Sequence, residues 1–249
     1  TLNVIPLQGQ HSAIAIHELR KLTKYMRALL QLNPATHREV SKNLKSISAV
    51  LAPYRDAQVN MDIYTLLTDN SPHLHEAELE RSLRGNPFYL DAKPISALAE
   101  NIEQLLSDLD RNLQQLAPEP DPELIFELIH EGYASGYQAM DQVKLDPNME
   151  DLHSWRKKTK RLWYQLRFLF GDTVEALNHP LNLSDQLGQL LGEIHDSDVF
   201  DLLLTSPSYS KLHEFINNRR SLLLQEAFDS GERLYHVGNS EFDQLLRSA

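Results

Sequence analysis

The sequence predicts an all-α chain that is written twice, and three observations carry that prediction. Only 9 of the 249 residues are glycine, too few for the tight turns of an all-β architecture, and no segment alternates apolar and polar residues as a half-buried strand would. Apolar residues instead recur at helical spacing between proline-marked breaks. Finally, "IHELRKLTKYMRALL" (16–30) lies over "LHSWRKKTKRLWYQL" (152–166) at an offset of 136, with His, Arg, Lys, Thr and Lys unchanged.

A second pair of segments keeps the same order. "YRDAQV" (54–59) lies over "IHDSDV" (194–199) at an offset of 140. Both follow apolar residues at helical spacing: Ile47, Val50, Leu51 and Tyr54 in one copy, Leu187, Leu190, Leu191 and Ile194 in the other. Two motifs separated by nearly the same distance describe a duplicated helical unit.

Taken in order, periodicity and breakers predict helices over 12–32, ended near Pro34, and over 36–52, ended at Pro53. Further helices follow at 56–68, 76–84, 95–116, 122–144, 150–170, 183–195, 197–205, 208–236 and 240–247. Alternate prolines in "APEPDPE" (117–123) predict a hinge, dividing the chain into halves 1–120 and 121–249. The stretch 68–94 has no counterpart of its length in the second half and reads as an insertion, with its "HLH" (73–75) as solvated loop.

Composition removes several function classes. With no cysteine, disulfides, zinc–thiolate sites and cysteine nucleophiles are excluded, while the redox compartment stays open. No apolar run approaches the roughly 18–20 residues of a membrane helix, and the start "TLNVIPLQGQHS" lacks the flank and core of a signal peptide. A soluble cytoplasmic chain with no membrane partner is expected. Its first residue is Thr, so the numbering is expected to begin inside a longer native chain, with an upstream targeting segment or partner domain, or after processing.

The net charge of −11 argues against a polyanion partner until its distribution is considered. Ten of the 24 lysines and arginines fall in two windows, 17–27 and 153–167, which share one acid, Glu18. On a helical wheel with His17 at zero, Arg27, Arg20, Lys24 and Lys21 span an arc of about 120°, while Leu29, Leu22, Met26, Leu19 and Leu30 lie opposite. The second copy repeats the pattern: Arg156, Lys157, Lys160, Arg161, Tyr164 and Arg167 surround His153, with Trp155, Leu162, Leu166 and Leu169 opposite. Arg20 with Lys24, Arg156 with Lys160, and Lys157 with Arg161 are like-charge i,i+4 pairs, each costing about 0.2–0.5 kcal/mol. Either acids from neighbouring helices neutralise these stripes, or the stripes line one cleft that holds a long anion. His17 and His153 are either anion donors or residues that cap and pack near the helix starts.

Together, the duplicated His-x-x-Arg-Lys-x-x-Lys helix and the apolar helix ending in "RDAQV" or "HDSDV" resemble the CHAD family, the conserved-histidine α-helical domains. The resemblance implies a pair of four-helix bundles with pseudo-two-fold symmetry, forming a single domain over 1–249. It also implies non-enzymatic binding of inorganic polyphosphate, without cofactor or metal, near a triphosphate-tunnel (CYTH) domain or polyphosphate enzymes and at polyphosphate granules. Carried over, its basic helix falls on His17, Arg20, Lys21, Lys24 and Arg27, and on His153, Arg156, Lys157, Lys160 and Arg161. Tyr25 and Trp163 stand where the family often has another basic residue.

Polyphosphate offers only oxygen acceptors, so lysine charges and arginine forks suffice to hold it. Apart from Trp163 and Tyr164, no aromatic residues interleave the stripes, so no specific nucleic-acid partner is expected. Asp56 and Asp196 read as N-caps of the helices that follow, or as residues that orient Arg55 and His195 towards the anion. His195-Asp196 is similar to the metal-binding pair of HD-type phosphohydrolases, which keeps a metal-dependent hydrolase using His195, Asp196 and Asp198 as an alternative. A scaffold that docks an acidic protein is another. Arg219 and Arg220 either extend the basic surface or flank a helix as ordinary surface residues. A histidine-kinase phospho-acceptor reading of "HELRKLTK" fails, because Leu22-Thr23 stands where Thr-Pro should and no glycine-rich nucleotide site follows.

Overall fold

A computed structural model describes residues 10–33, 37–90, 96–114, 120–171 and 173–248. The described residues are helical with no strand, and the chain divides into two compact units, Thr1–Leu30 with Pro34–Pro118 and Gln31–Asn33 with Glu119–Ala249. The expected end of the first helix at Pro34, and residues 117–119 of the expected hinge, lie outside the described residues.

In the first unit, α1 (Gln10–Leu30) packs on α2 (His37–Asn70), which also carries α3 (Ala77–Gly85) and α4 (Ser96–Leu113). Ile16 of α1 shares one buried core with Val40, Leu44, Ile47 and Leu51 of α2 and Leu98 and Leu109 of α4. Removing such side chains from water stabilises the unit by about 1.5–3 kcal/mol apiece.

Pro53 does not end a helix: the expected helices 36–52 and 56–68 are one, because the buried face continues past the proline through Ala57, Met61 and Tyr64. Burial on both sides outweighs the backbone hydrogen bond lost at the proline. The expected loop at 73–75 is also ordered. Leu74 is buried in a 3₁₀ turn, Pro72–Leu74, and His75 Nε2 lies 2.9 Å from Glu80 Oε2. The Tyr64 hydroxyl donates to the Glu76 carbonyl at 3.0 Å and accepts from the Glu76 N–H at 2.9 Å, fastening this turn to α2.

In the second unit, α5 (Pro122–Leu145), α6 (Met149–Leu169), α7 (Glu175–Asp201) and α8 (Ser210–Tyr235) pack each on the next. Helix α8 also reaches α5, and α9 (Gly238–Arg247) lies against α5. Asp121 accepts from the Glu123 N–H and Asn148 from the Asp151 N–H, so α5 and α6 start on side-chain caps. Gly171, at φ +54°, follows the end of α6 in the left-handed region that glycine enters freely.

Trp155, Leu162 and Leu166 of α6 sit with Ile129, Tyr133 and Val143 of α5, Leu187 and Ile194 of α7, and Leu223 and Ala227 of α8. Tyr133 stacks on Phe242 of α9 at 3.9 Å between centroids and donates to the Leu234 carbonyl at 3.0 Å. Helix α7 absorbs the expected 183–195 and most of 197–205, starting eight residues before the first of them and carrying Pro180 within its own length. Three long helices and one short one thus make the described part of the first unit, against four long helices and α9 in the second.

Candidate anion-binding faces

In each unit the helix that carries the basic motif, α1 or α6, meets the second motif on the helix that follows it, α2 or α7. In the first unit, Arg55 of α2 lies close enough to His17 of α1 for its charge to act on the imidazole. In the second unit, His195 of α7 stacks on His153 of α6 with 4.5 Å between ring centroids and 28° between planes. Asp56 and Asp196 are therefore interior residues of α2 and α7, and the N-cap expectation for both is corrected.

The face of α1 is partly open. His17 and Lys21 are about half exposed, with Glu18 3.9 Å from one and 3.8 Å from the other, and Lys24 is exposed. Arg20 and Arg27 are half-buried, and Arg20 Nη1 donates to the Ser48 carbonyl at 2.8 Å. Thr23 is buried between them and α2, where its hydroxyl meets the Ser48 hydroxyl at 2.9 Å. The inward side of α1 takes in the buried Ser12, Ile16 and Thr23 together with half-buried Leu19, Met26 and Leu30 of the expected apolar arc, while Leu22, expected there too, is 50% exposed. Burial holds the His17 pKa below its usual 6.5; Arg55 adds to the depression, Glu18 opposes it, and Lys21 and Lys24 deepen it. A neutral imidazole among cations is a group that an arriving anion would charge.

The face of α6 is more enclosed, because α5 and α7 flank it. Lys157 and Arg167 are exposed, whereas Arg156, Lys160 and Arg161 lie back on glycines of the flanking helices. The Arg156 guanidinium rests 3.4 Å from where a Cβ would stand at Gly192, and Arg161 3.6 Å from the same point at Gly132. Arg161 donates to Gln31 Oε1 at 2.9 Å and to the Ser135 hydroxyl at 3.0 Å, and burial lowers its pKa. Lys160 Nζ donates to Asp185 at 3.1 Å and sits 3.8 Å from the Trp163 ring centroid. Tyr164, expected on the outward face, is only 7% exposed and flanks Lys160, 5.6 Å from its Nζ.

Asp198 is turned to α8, where Arg220 Nε donates to it at 2.8 Å and Arg220 Nη2 reaches the Pro147 carbonyl at 2.9 Å. Burial raises the Asp198 pKa, and Arg220 opposes the rise. Arg219 pairs with Glu193 at 3.3 Å, so both arginines tie α8 to its neighbours and do not extend the basic faces. Among the described residues, no group of three or more His, Asp or Glu is arranged to hold a metal ion.

Sequence reasoning missed Gly188, Gly192, Gly132 and Asp185. The signal was present in "DQLGQLLGEIHD", where two glycines stand i,i+4 in a helix whose interior they weaken by about 1 kcal/mol each.

Comparison with known proteins bears on both faces at once. The match to the CHAD domain covers residues 7–205, which takes in α1 to α7 and both copies of each motif. This chain belongs to the CHAD family. Helices α8 and α9 lie beyond the matched span, yet they supply Leu223, Ala227, Leu234, Phe242 and Leu246 to the core around α6. No curated protein and no solved structure matches this CHAD chain.

Proposed function

We propose that the chain binds inorganic polyphosphate, without turning it over, through the basic faces of α1 and α6. The observation that carries this reading is the open face of α1: in a protein of net charge −11, His17, Lys21 and Lys24 are exposed together on it, with Arg20 and Arg27 half-buried beside them. Membership of the CHAD family supports the same ligand. On the α1 face a polyanion would meet exposed Lys21 and Lys24 with half-buried Arg20 and Arg27 behind them, and on the α6 face exposed Lys157 and Arg167 with half-buried Arg156, Lys160 and Arg161 behind them. His17 and Arg55 stand at one end of the α1 face, and His153 at the corresponding end of the α6 face. Polyphosphate needs no more than this, since it offers oxygen acceptors and repeating charge. A CYTH domain or a polyphosphate enzyme is the partner this reading expects, and a cytoplasmic granule the location.

A hydrolase acting through His195, Asp196 and Asp198 has less support, because Asp198 is already committed to Arg220. A docking scaffold for an acidic protein would use the same cations. Titration with long-chain polyphosphate, beside an acidic polypeptide and with phosphate release followed in the presence of Mg²⁺, separates the three. Tight binding of polyphosphate without release supports the proposal. Release that is lost on His195→Ala, or preference for the polypeptide, contradicts it.

A further inference from the structure

Lys160 is wedged in place by four residues of its own unit. Its Nζ is bonded to Asp185 and lies over Trp163, Tyr164 closes the near side, and its aliphatic stem runs along α7 at Gly188. A Cβ at Gly188 would collide with Lys160 Cδ and stand 3.2 Å from Cγ and 3.5 Å from Cε. Gly188 is not at a positive φ, so the backbone does not demand glycine there; what demands it is the lysine stem.

The first unit carries other residue types at the four corresponding places. Shifting by the repeat offsets puts Ser48 at the place of Gly188, Lys45 at Asp185, Arg27 at Trp163 and Ala28 at Tyr164. Lys24, the counterpart of Lys160, is exposed, while the Lys160 side chain is 23% exposed.

We infer that Gly188 is a positioning residue for polyphosphate binding: it lets α7 hold Lys160 in place before the anion arrives, making the α6 face the stronger of the two. This inference rests on the polyphosphate reading. An ammonium whose stem is already ordered does not lose its rotamer freedom on binding, a saving that is smaller for the exposed Lys24. Asp185 orients one of the three N–H donors of the ammonium and so fixes the directions of the other two.

The test is a double-mutant cycle on the full chain with long-chain polyphosphate, using Gly188→Ala, Lys160→Ala and both together, with Lys24→Ala as the reference. Gly188→Ala is expected to weaken binding about fivefold, from the ordering cost of one long side chain. It should leave Tm unchanged or higher, since alanine is the better helix former. It should add nothing in the Lys160→Ala background, and Lys160→Ala should cost more than Lys24→Ala. The Trp163 indole N–H resonance should shift in Gly188→Ala as the ammonium leaves the ring, a readout that needs no ligand. Wild-type affinity in Gly188→Ala, or equal losses with and without Lys160, overturns the positioning role while leaving the polyphosphate reading intact. A lowered Tm with affinity retained by the folded fraction marks Gly188 as a structural residue only and overturns the role. Wild-type protein that fails to bind at low salt overturns the polyphosphate reading and the role that rests on it.

Discussion

Helices α1 and α6 share the pattern His-x-x-Arg-Lys-x-Thr-Lys, and the structure treats the two copies differently. On α1, Lys21 and Lys24 are exposed, and the buried Thr23 spends its hydroxyl on Ser48 of α2. On α6, the corresponding Thr159 is fully buried, its hydroxyl near that of Tyr235 but without a hydrogen bond of good geometry. Lys160 is drawn onto α7, and Arg161 is drawn towards α5. The cause lies outside the motif. Where α2 carries Ser48 and Ala52, α7 carries Gly188 and Gly192, whose bare backbone leaves room for the Lys160 stem and the Arg156 guanidinium. A shared motif therefore specifies which charges are present, while the neighbouring helix decides how rigidly they are held.

The second motif differs in the same way. Asp198 of α7 is buried against Arg220, whereas its counterpart Gln58 on α2 makes an exposed bond to Asp62 at 2.7 Å. Arg220→Ala leaves a buried carboxylate unpaired and is expected to destabilise the second unit by about 3–5 kcal/mol. Gln58→Ala should change little. Because the folded Asp198 pKa lies above its unfolded value of 3.8, the carboxylate opposes folding as pH rises through the folded pKa, so the Arg220→Ala loss should shrink in acid. Urea unfolding at pH 7 and pH 4 checks both statements.

Reversing charge is expected to have the next largest effect. Lys157→Glu with Lys160→Glu should weaken polyphosphate binding about a hundredfold, and Lys21→Glu with Lys24→Glu less. Each pair should reduce the slope of log affinity against log salt by roughly one for every phosphate no longer neutralised. Equal losses from the two pairs would break the proposed ranking of the faces.

Threonine gives a smaller and more local contrast. Thr23→Val removes the bond to Ser48 and is expected to cost about 1 kcal/mol, while Thr159→Val should cost clearly less. Global unfolding of the two variants compares them directly.

Smallest is the pH effect on α1. His17 is neutral at pH 7 and held below 6.5, and a bound phosphate raises its pKa, so polyphosphate affinity should rise a few-fold as pH falls from 7.5 towards 5.5. His17→Ala should flatten that dependence. In the absence of ligand the sign reverses: the folded pKa is the lower one, so the protein loses a little stability as pH drops through 6.5.

Most of the helices were legible because their apolar spacing is regular; the boundaries expected for α3, α5, α6, α8 and α9 lie within two residues of those observed. Pro53 misled because a proline penalty of a few kcal/mol is local, whereas the buried face of α2 extends across it. The cations of the stripes were legible from charge clustering. Their degree of burial was not, since that depends on glycines contributed by other helices. Trp163 looked like a departure from the family pattern, but in the structure its ring is part of what holds Lys160.

Calorimetric titration of the intact chain with long-chain polyphosphate, at about 50 mM and about 200 mM salt, tests the central claim most directly. The account predicts binding at the lower salt that weakens by a factor of about a thousand or more at the higher, if six or more phosphates are engaged. Absent binding at low salt, or affinity indifferent to salt, would contradict it.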